Sequence, residues 1–118
     1  MNLVYVGLGG FLGSVARYLI HLWLPRESGS FPISTLLVNV LGSLAIGLLY
    51  GFGQNKIEDE LRLFATVGFC GGFTTFSSFA LENLKALESA NYILFILYTA
   101  SSLVLCMGSV FLGAYLAK

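Results

Sequence analysis

Residues 71–79, with the sequence GGFTTFSSF, place neutral polar groups in a stretch that is otherwise apolar. The segment holds two adjacent glycines, four hydroxyl side chains and three phenylalanines. Glycine weakens a helix by about 1 kcal/mol per residue relative to alanine, and the hydroxyls compete for backbone hydrogen bonds. Irregular backbone at membrane depth persists only where it is buried in protein or lines a hydrated cavity. The segment is therefore predicted to give up helical stability for a binding site.

Further neutral polar side chains occur on other apolar stretches. Asn39 lies well inside the second one; its amide can bond a neighbouring helix or receive a desolvated anion. At 100° per residue one helical face carries Thr74, Thr75, Ser78 and Glu82, with Phe79 at its border and Phe76 beside Phe79. The last apolar stretch adds Tyr98, Ser101, Ser102 and Ser109.

This set of groups suits weak binding of an anion. A strongly held anion would not leave, so conduction favours several weak neutral sites over one fixed cation. The positive edge of a phenyl ring can also face an anion. The alternative interpretation of the phenylalanines is core packing or lipid contact.

Ionisable groups are few inside the apolar stretches. Arg17 lies one or two turns before the end of the first stretch, where it can snorkel to the interface or attract an anion at a vestibule. Glu82 lies similarly near the end of the third stretch. His21 has no second ligand beside it, and Cys70 and Cys106 are predicted to be small core residues. Without a catalytic set of side chains, an enzyme is not expected.

The composition predicts an integral membrane protein. Of the 118 residues, 57% are hydrophobic and 10% are charged, and the mean hydropathy is +0.85. Soluble domains carry about 25% charged residues. The net charge is zero, so nucleic acid is not an expected partner.

Four apolar stretches are each near the roughly 20 residues that cross a bilayer. We predict one domain of all-α fold, with both termini on one side and membrane spans at about 3–24, 34–52, 61–84 and 92–117. Small residues recur four positions apart in every span, which lets helices approach closely. This spacing is interpreted as packing within one subunit.

Lysine and arginine do not favour one orientation. Lys56, Arg62 and Lys118 lie on the side of the termini, and Arg17, Arg26 and Lys85 lie on the other. A chain without a preferred orientation can insert both ways, and two copies could then pair antiparallel.

The chain resembles the small bacterial fluoride channels, the Fluc or CrcB family. The resemblance rests on Gly9-Gly10-Phe11-Leu12-Gly13-Ser14 followed by Arg17-Tyr18, on Thr35-Leu36-Leu37-Val38-Asn39 and on residues 71–79. It implies a passive fluoride channel in the cell membrane, built as an antiparallel dual-topology dimer with two pores. The partner would be a second copy or a paralogue.

The resemblance also implies roles for individual residues. A break in the third helix would offer the backbone carbonyls of Gly71 and Thr74 to a structural Na⁺ on the dimer axis; oxygen ligands suit such a hard cation. Phe76, Phe79 and Asn39 would face the pore, and Arg17 and Glu82 would lie near the vestibules. The polar track would consist of Thr75, Ser78, Tyr98 and Ser102. One further family hydroxyl falls at Cys106.

Two other functions fit the size of the chain. A small dual-topology exporter coupled to protons would need an intramembrane carboxylate, and no Asp or Glu occurs between Glu60 and Glu82. A purely structural membrane subunit would leave the two glycines and the hydroxyl face without explanation.

Overall fold

The computed structural model describes residues 2–24, 31–53 and 59–117, and all their regular elements are helices. Helix α1 is Asn2–Trp23 and α2 is Ile33–Gly53. Helix α3 covers 59–73, as an α-helical turn (Asp59–Arg62), a π-helix (Leu63–Cys70) and a short α-helical end (Gly71–Phe73). Helix α4 is Phe76–Glu88 and α5 is Tyr92–Leu116.

Four segments are long and apolar enough to cross a membrane. They are Asn2–Trp23, Ile33–Phe52, Glu60–Glu88 and Tyr92–Leu116, the third of which combines α3 and α4. The prediction of an all-helical chain with four such segments is confirmed for the described residues. Helix α4 continues to Glu88, four residues past the predicted end of the third span at Leu84. Arg26, Lys56 and Lys118, which entered the comparison of loop charges, lie outside the described residues.

Helices α1 and α3 run parallel and touch through glycines. A Cβ on Gly9 would overlap the Phe64 carbonyl, and one on Gly13 would overlap the Phe69 carbonyl. A Cβ on Gly72 would lie 2.6 Å from the Gly10 carbonyl oxygen. Small residues therefore bring the α1 backbone against the end of α3, where van der Waals contact stabilises helix pairs in lipid.

Helices α2 and α5 form a second parallel pair of the same kind. A Cβ on Gly47 would overlap the Val110 carbonyl, and one on Gly113 would lie 2.5 Å from the Leu44 carbonyl oxygen. The interpretation of the small-residue spacing as packing within one subunit is confirmed for these glycines.

A short turn joins α4 to α5 and sets how they face each other. Ala90 has a positive φ of 58°, and the Asn91 side chain accepts a hydrogen bond from the Leu94 N–H, which caps α5. The turn folds α5 back along α4, so that residues 16 positions apart meet: Tyr98 bonds Glu82, and Thr99 bonds Asn83.

Candidate functional site

The third apolar segment is not helical at Thr74 and Thr75. Helix α3 ends at Phe73, Thr74 has φ −78° and ψ 154°, and Thr75 has φ −148° and ψ 117°. Both residues are therefore extended. A π-helix precedes them. π-Helical turns are rare in proteins, and those that occur are often found at functional sites. We call Thr74 and Thr75 the interruption.

Asn39 of α2 satisfies the backbone of Thr75. Its Oδ1 accepts from the Thr75 N–H at 2.9 Å, and its Nδ2 donates to the Thr75 carbonyl at 3.2 Å. Thr75 is buried, and a buried polar group without a partner costs about 1–3 kcal/mol. Asn39 therefore supplies the acceptor that the Thr75 N–H lacks at the interruption. It also adds a second donor to the Thr75 carbonyl, which as the N-cap carbonyl of α4 takes the first hydrogen bond of that helix.

At the interruption, the N–H groups that would bond two of the helical carbonyls bond side chains instead. In a continuous helix the N–H of residue i+4 donates to the carbonyl of residue i, so the Thr75 N–H would bond Gly71. That N–H bonds Asn39 instead. The Ser78 N–H, which would bond the Thr74 carbonyl, donates to Thr75 Oγ1 at 3.2 Å. The carbonyls whose donors are redirected to side chains in this way are those of Gly71 and Thr74.

The side chains of Arg17 and Thr74 bond the end of α3. Arg17 Nε donates to the Gly72 carbonyl at 3.2 Å. Thr74 Oγ1 donates to the Cys70 carbonyl at 2.9 Å, and the methyl group of Thr74 packs where a Cβ on Gly42 would overlap it. The Thr74 side chain is thus tied to its own helix and to α2.

A cavity of about 370 Å³ opens beside the interruption. Helix α2 contributes one wall, α3 and α4 a second, and α5 a third. None of its lining residues carries a charge. They are Asn39, Gly42, Ser43, Ile46, Thr66, Cys70, Gly71, Thr74, Thr75, Phe76, Phe79, Ser102, Leu103, Cys106 and Met107.

The cavity brings together seven of the eleven residues predicted for the site. These are Asn39, Gly71, Thr74, Thr75, Phe76, Phe79 and Ser102. The Ser102 hydroxyl is buried and has no hydrogen-bond partner among the described residues, which suits a group that awaits a ligand. Ser78 is linked to this set through Thr75 Oγ1.

Aromatic rings continue from the cavity into the subunit. The ring centroids of Phe76 and Phe79 lie 5.5 Å apart, and those of Phe79 and Tyr98 lie 5.0 Å apart. Tyr98 is only 1% exposed, and its hydroxyl donates to Glu82 Oε1 at 3.0 Å. Glu82 is also buried. The two side chains therefore form a buried pair that extends the row of rings.

Several wall residues were not singled out as site residues in the sequence. Thr66 and Cys70 precede the predicted residue Thr74 at intervals of four, and Cys106 follows the predicted residue Ser102 at the same interval on α5. Their helical spacing was readable, but Leu103, Met107 and Ile46 look like ordinary lipid-facing or core residues. Only the packing of α2 against α5 places these apolar side chains beside the hydroxyls.

Comparison with known proteins identifies the family. Residues 4–114 match the family described as CrcB-like protein, Camphor Resistance (CrcB). The chain belongs to the CrcB family. Its match covers every residue predicted for the site, from Arg17 to Ser102.

Relatives of this CrcB-family chain are similar over nearly their whole length. The fluoride-specific ion channel FluC of Chlorobium chlorochromatii is 41% identical over 119 residues, which are 99% of this chain and 92% of the relative. FluC of Bacteroides fragilis is 41% identical over 122 residues, with 99% and 96% covered. FluC of Chlorobaculum tepidum is 42% identical over 119 residues, with 99% and 94% covered.

The role of Asn39 in this CrcB-family fold leads to a stability prediction. Asn39→Leu keeps the same number and branching of side-chain heavy atoms but leaves the buried Thr75 N–H without a partner. We expect it to lower the free energy of unfolding by about 2 kcal/mol or more, measured by denaturation of the purified protein in detergent. Ser43→Ala, one turn along the same cavity wall, is the control. Equal losses in both variants would contradict the role.

Proposed function

We propose that the protein is a fluoride-specific channel of the cell membrane, which it crosses several times, and that it lets fluoride leave the cell passively. The observation that carries the proposal is the 41% identity, over 99% of the chain, to a fluoride-specific ion channel FluC. The relatives are ion channels, so the protein is not an enzyme. The uncharged cavity beside the interruption supports the same conclusion from its chemistry.

The groups in the cavity suit a small anion that must bind and leave. One hydrogen of the Asn39 amide is used by the Thr75 carbonyl, and the amide has a second hydrogen to donate to an anion. The buried Ser102 hydroxyl is another donor. The ring edges of Phe76 and Phe79 add weak electropositive contacts. Several such contacts in series allow conduction, whereas a fixed cation would retain the ion.

We propose that the working channel is an antiparallel dimer with two pores. Phe76 is 79% exposed in one subunit although its ring contacts the tilted ring of Phe79, and Gly71 is exposed while it lines the cavity. A second copy, or a paralogue, would cover both. The even division of Lys and Arg between the two sides supports insertion in both orientations.

We further propose that the dimer holds a structural Na⁺ at its centre, bound by the carbonyls of Gly71 and Thr74 from each subunit. The support is that the two carbonyls are the ones whose helical donors are redirected. Carbonyl oxygens suit a hard cation such as Na⁺. The ion would then replace the hydrogen bonds that the interruption removes.

Liposomes test the channel itself. Purified protein in vesicles loaded with potassium fluoride should release fluoride when valinomycin carries the compensating charge, and should release little chloride under the same conditions. Fluoride electrodes follow the efflux. No fluoride release would overturn the proposal. Release that strictly requires a proton gradient, with Glu82 as the buried carboxylate, would favour the proton-coupled exporter instead.

Phe76 tests the pore assignment. Phe76→Ile removes the electropositive ring edge and keeps an apolar side chain, and we expect fluoride efflux to fall by roughly tenfold, the effect of about 1.4 kcal/mol on a barrier. Phe111→Ile is the matched control, because Phe111 is similarly exposed, at 71%, on α5 and does not line the cavity. An unchanged efflux with an intact protein would remove the Phe76 ring from the pathway.

Removal of Na⁺ tests the shared ion and the dimer together. Replacing Na⁺ with N-methylglucamine on both sides should lower fluoride efflux and shift the purified protein towards monomers, because the ion's ligands come from both subunits. Light scattering after size exclusion gives the mass. An active, dimeric protein after exhaustive exchange would contradict the sodium site, and a monomeric protein in Na⁺ would contradict the dimer.

A further inference from the structure

We infer that Arg17 is a positioning residue that holds the end of α3 through its Nε–H donor, and that its positive charge is not what the channel uses. The effect on fluoride flux that we expect from this hydrogen bond rests on the proposed function. Its basis is the hydrogen bond from Arg17 Nε to the Gly72 carbonyl, at 3.2 Å, between residues 55 positions apart in the chain.

The Gly72 carbonyl needs a donor from outside its helix. In a continuous helix the Phe76 N–H would bond it, but the two extended residues between Phe73 and Phe76 end that register. Inside an apolar span there is no bulk water to replace the lost bond. Arg17 provides the replacement on the α1 side, as Asn39 does for Thr75 on the α2 side.

The packing of α1 explains how Arg17 reaches this carbonyl. Gly9, Gly13 and Arg17 follow one another at intervals of four residues, so they share a face of α1. The two glycines bring that face against α3. Side chains on a helix tilt towards its N-terminus. Because α1 and α3 are parallel, this tilt directs the Arg17 side chain back towards Gly72. The Cα of Gly72 itself packs against the backbone of Gly10.

The position of Gly72 makes this bond matter for the proposed ion. Gly72 lies next to Gly71, and its carbonyl belongs to the same last turn of α3 that leads into Thr74. If the Gly72 carbonyl turned to find another donor, the neighbouring peptide planes would rotate with it. The directions of the Gly71 and Thr74 carbonyls would then change.

Three substitutions separate the donor from the charge. Arg17→Gln keeps an N–H donor at the same bond count from Cα, because Gln Nε2 and Arg Nε are both the fourth side-chain atom. Arg17→Met has the same length without a donor. Arg17→Lys keeps the charge but has a methylene where Arg has Nε, and its ammonium lies one atom further out.

We expect Arg17→Gln to keep fluoride efflux within about threefold of the unsubstituted protein, and Arg17→Met to lose tenfold or more, about the equilibrium effect of one charge-assisted hydrogen bond. Arg17→Lys should be impaired although it is charged. The ratio between Gln and unsubstituted protein should also be the same at low and high ionic strength, because exposed charges are screened by salt. Rescue by Gln and not by Lys is a result that a role in attracting anions would not give.

The opposite pattern would overturn the inference. If Lys conducts well while Gln and Met fail alike, and if the difference shrinks at high salt, Arg17 acts by its charge. If Met does not fold, the comparison of Gln with Lys decides by itself. Unfolding of the same variants in detergent ranks the stabilities of the Gln, Met and Lys variants without any measurement of flux. A failure of the fluoride proposal can therefore be told apart from a failure of the Arg17 hydrogen bond.

Discussion

The structure depends on one constraint, which is that the backbone polar groups of two extended residues inside an apolar segment must find partners within the protein. Lipid offers no hydrogen bonds, so Thr74 and Thr75 are stable in this conformation only because neighbouring helices supply donors and acceptors. Asn39 serves both polar groups of Thr75, and Arg17 serves the Gly72 carbonyl. Thr75 Oγ1 caps the first turn of α4 by accepting the Ser78 N–H. The groups that replace helical hydrogen bonds here are the neutral side chains of Asn39 and Thr75 and a single N–H donor of Arg17.

This constraint explains why close helix packing and the site belong together. Arg17 reaches Gly72 only because Gly9 and Gly13 let α1 lie directly against α3. Asn39 reaches Thr75 from α2, which is held in turn against α5 through Gly47 and Gly113. A larger residue at these glycines would separate the backbones, and the polar side chains would then fall short of the interruption. The glycine pattern therefore positions the functional groups as well as stabilising the fold.

At the same place, side chains take the N–H groups that a continuous helix would give to the carbonyls of Gly71 and Thr74. Beside them lies a cavity whose lining residues carry no charge. This arrangement suits the proposed ion pathway, because hydroxyls, an amide and ring edges offer an anion weak contacts and no fixed cation that would retain it. The exposed ring of Phe76 and the buried pair of Tyr98 and Glu82 differ sharply in their surroundings. The Phe76 ring lies on the surface that the proposed dimer would cover, whereas Tyr98 and Glu82 bond each other inside the subunit.

The sequence alone determined the class and the general location of the site. Four apolar lengths specify four membrane helices, and two glycines with four hydroxyls in residues 71–79 indicate where helical hydrogen bonding fails. Spacing along a helix also grouped Thr75, Ser78 and Phe79. The tertiary structure decided the rest, because the partners are distant in the chain: Asn39 lies 36 residues from Thr75, and Arg17 lies 55 residues from Gly72. Periodicity reports which face a residue occupies but not which neighbour meets it, so the Tyr98–Glu82 pair and the cavity walls at Thr66, Cys106 and Met107 could be read only once the helices were packed.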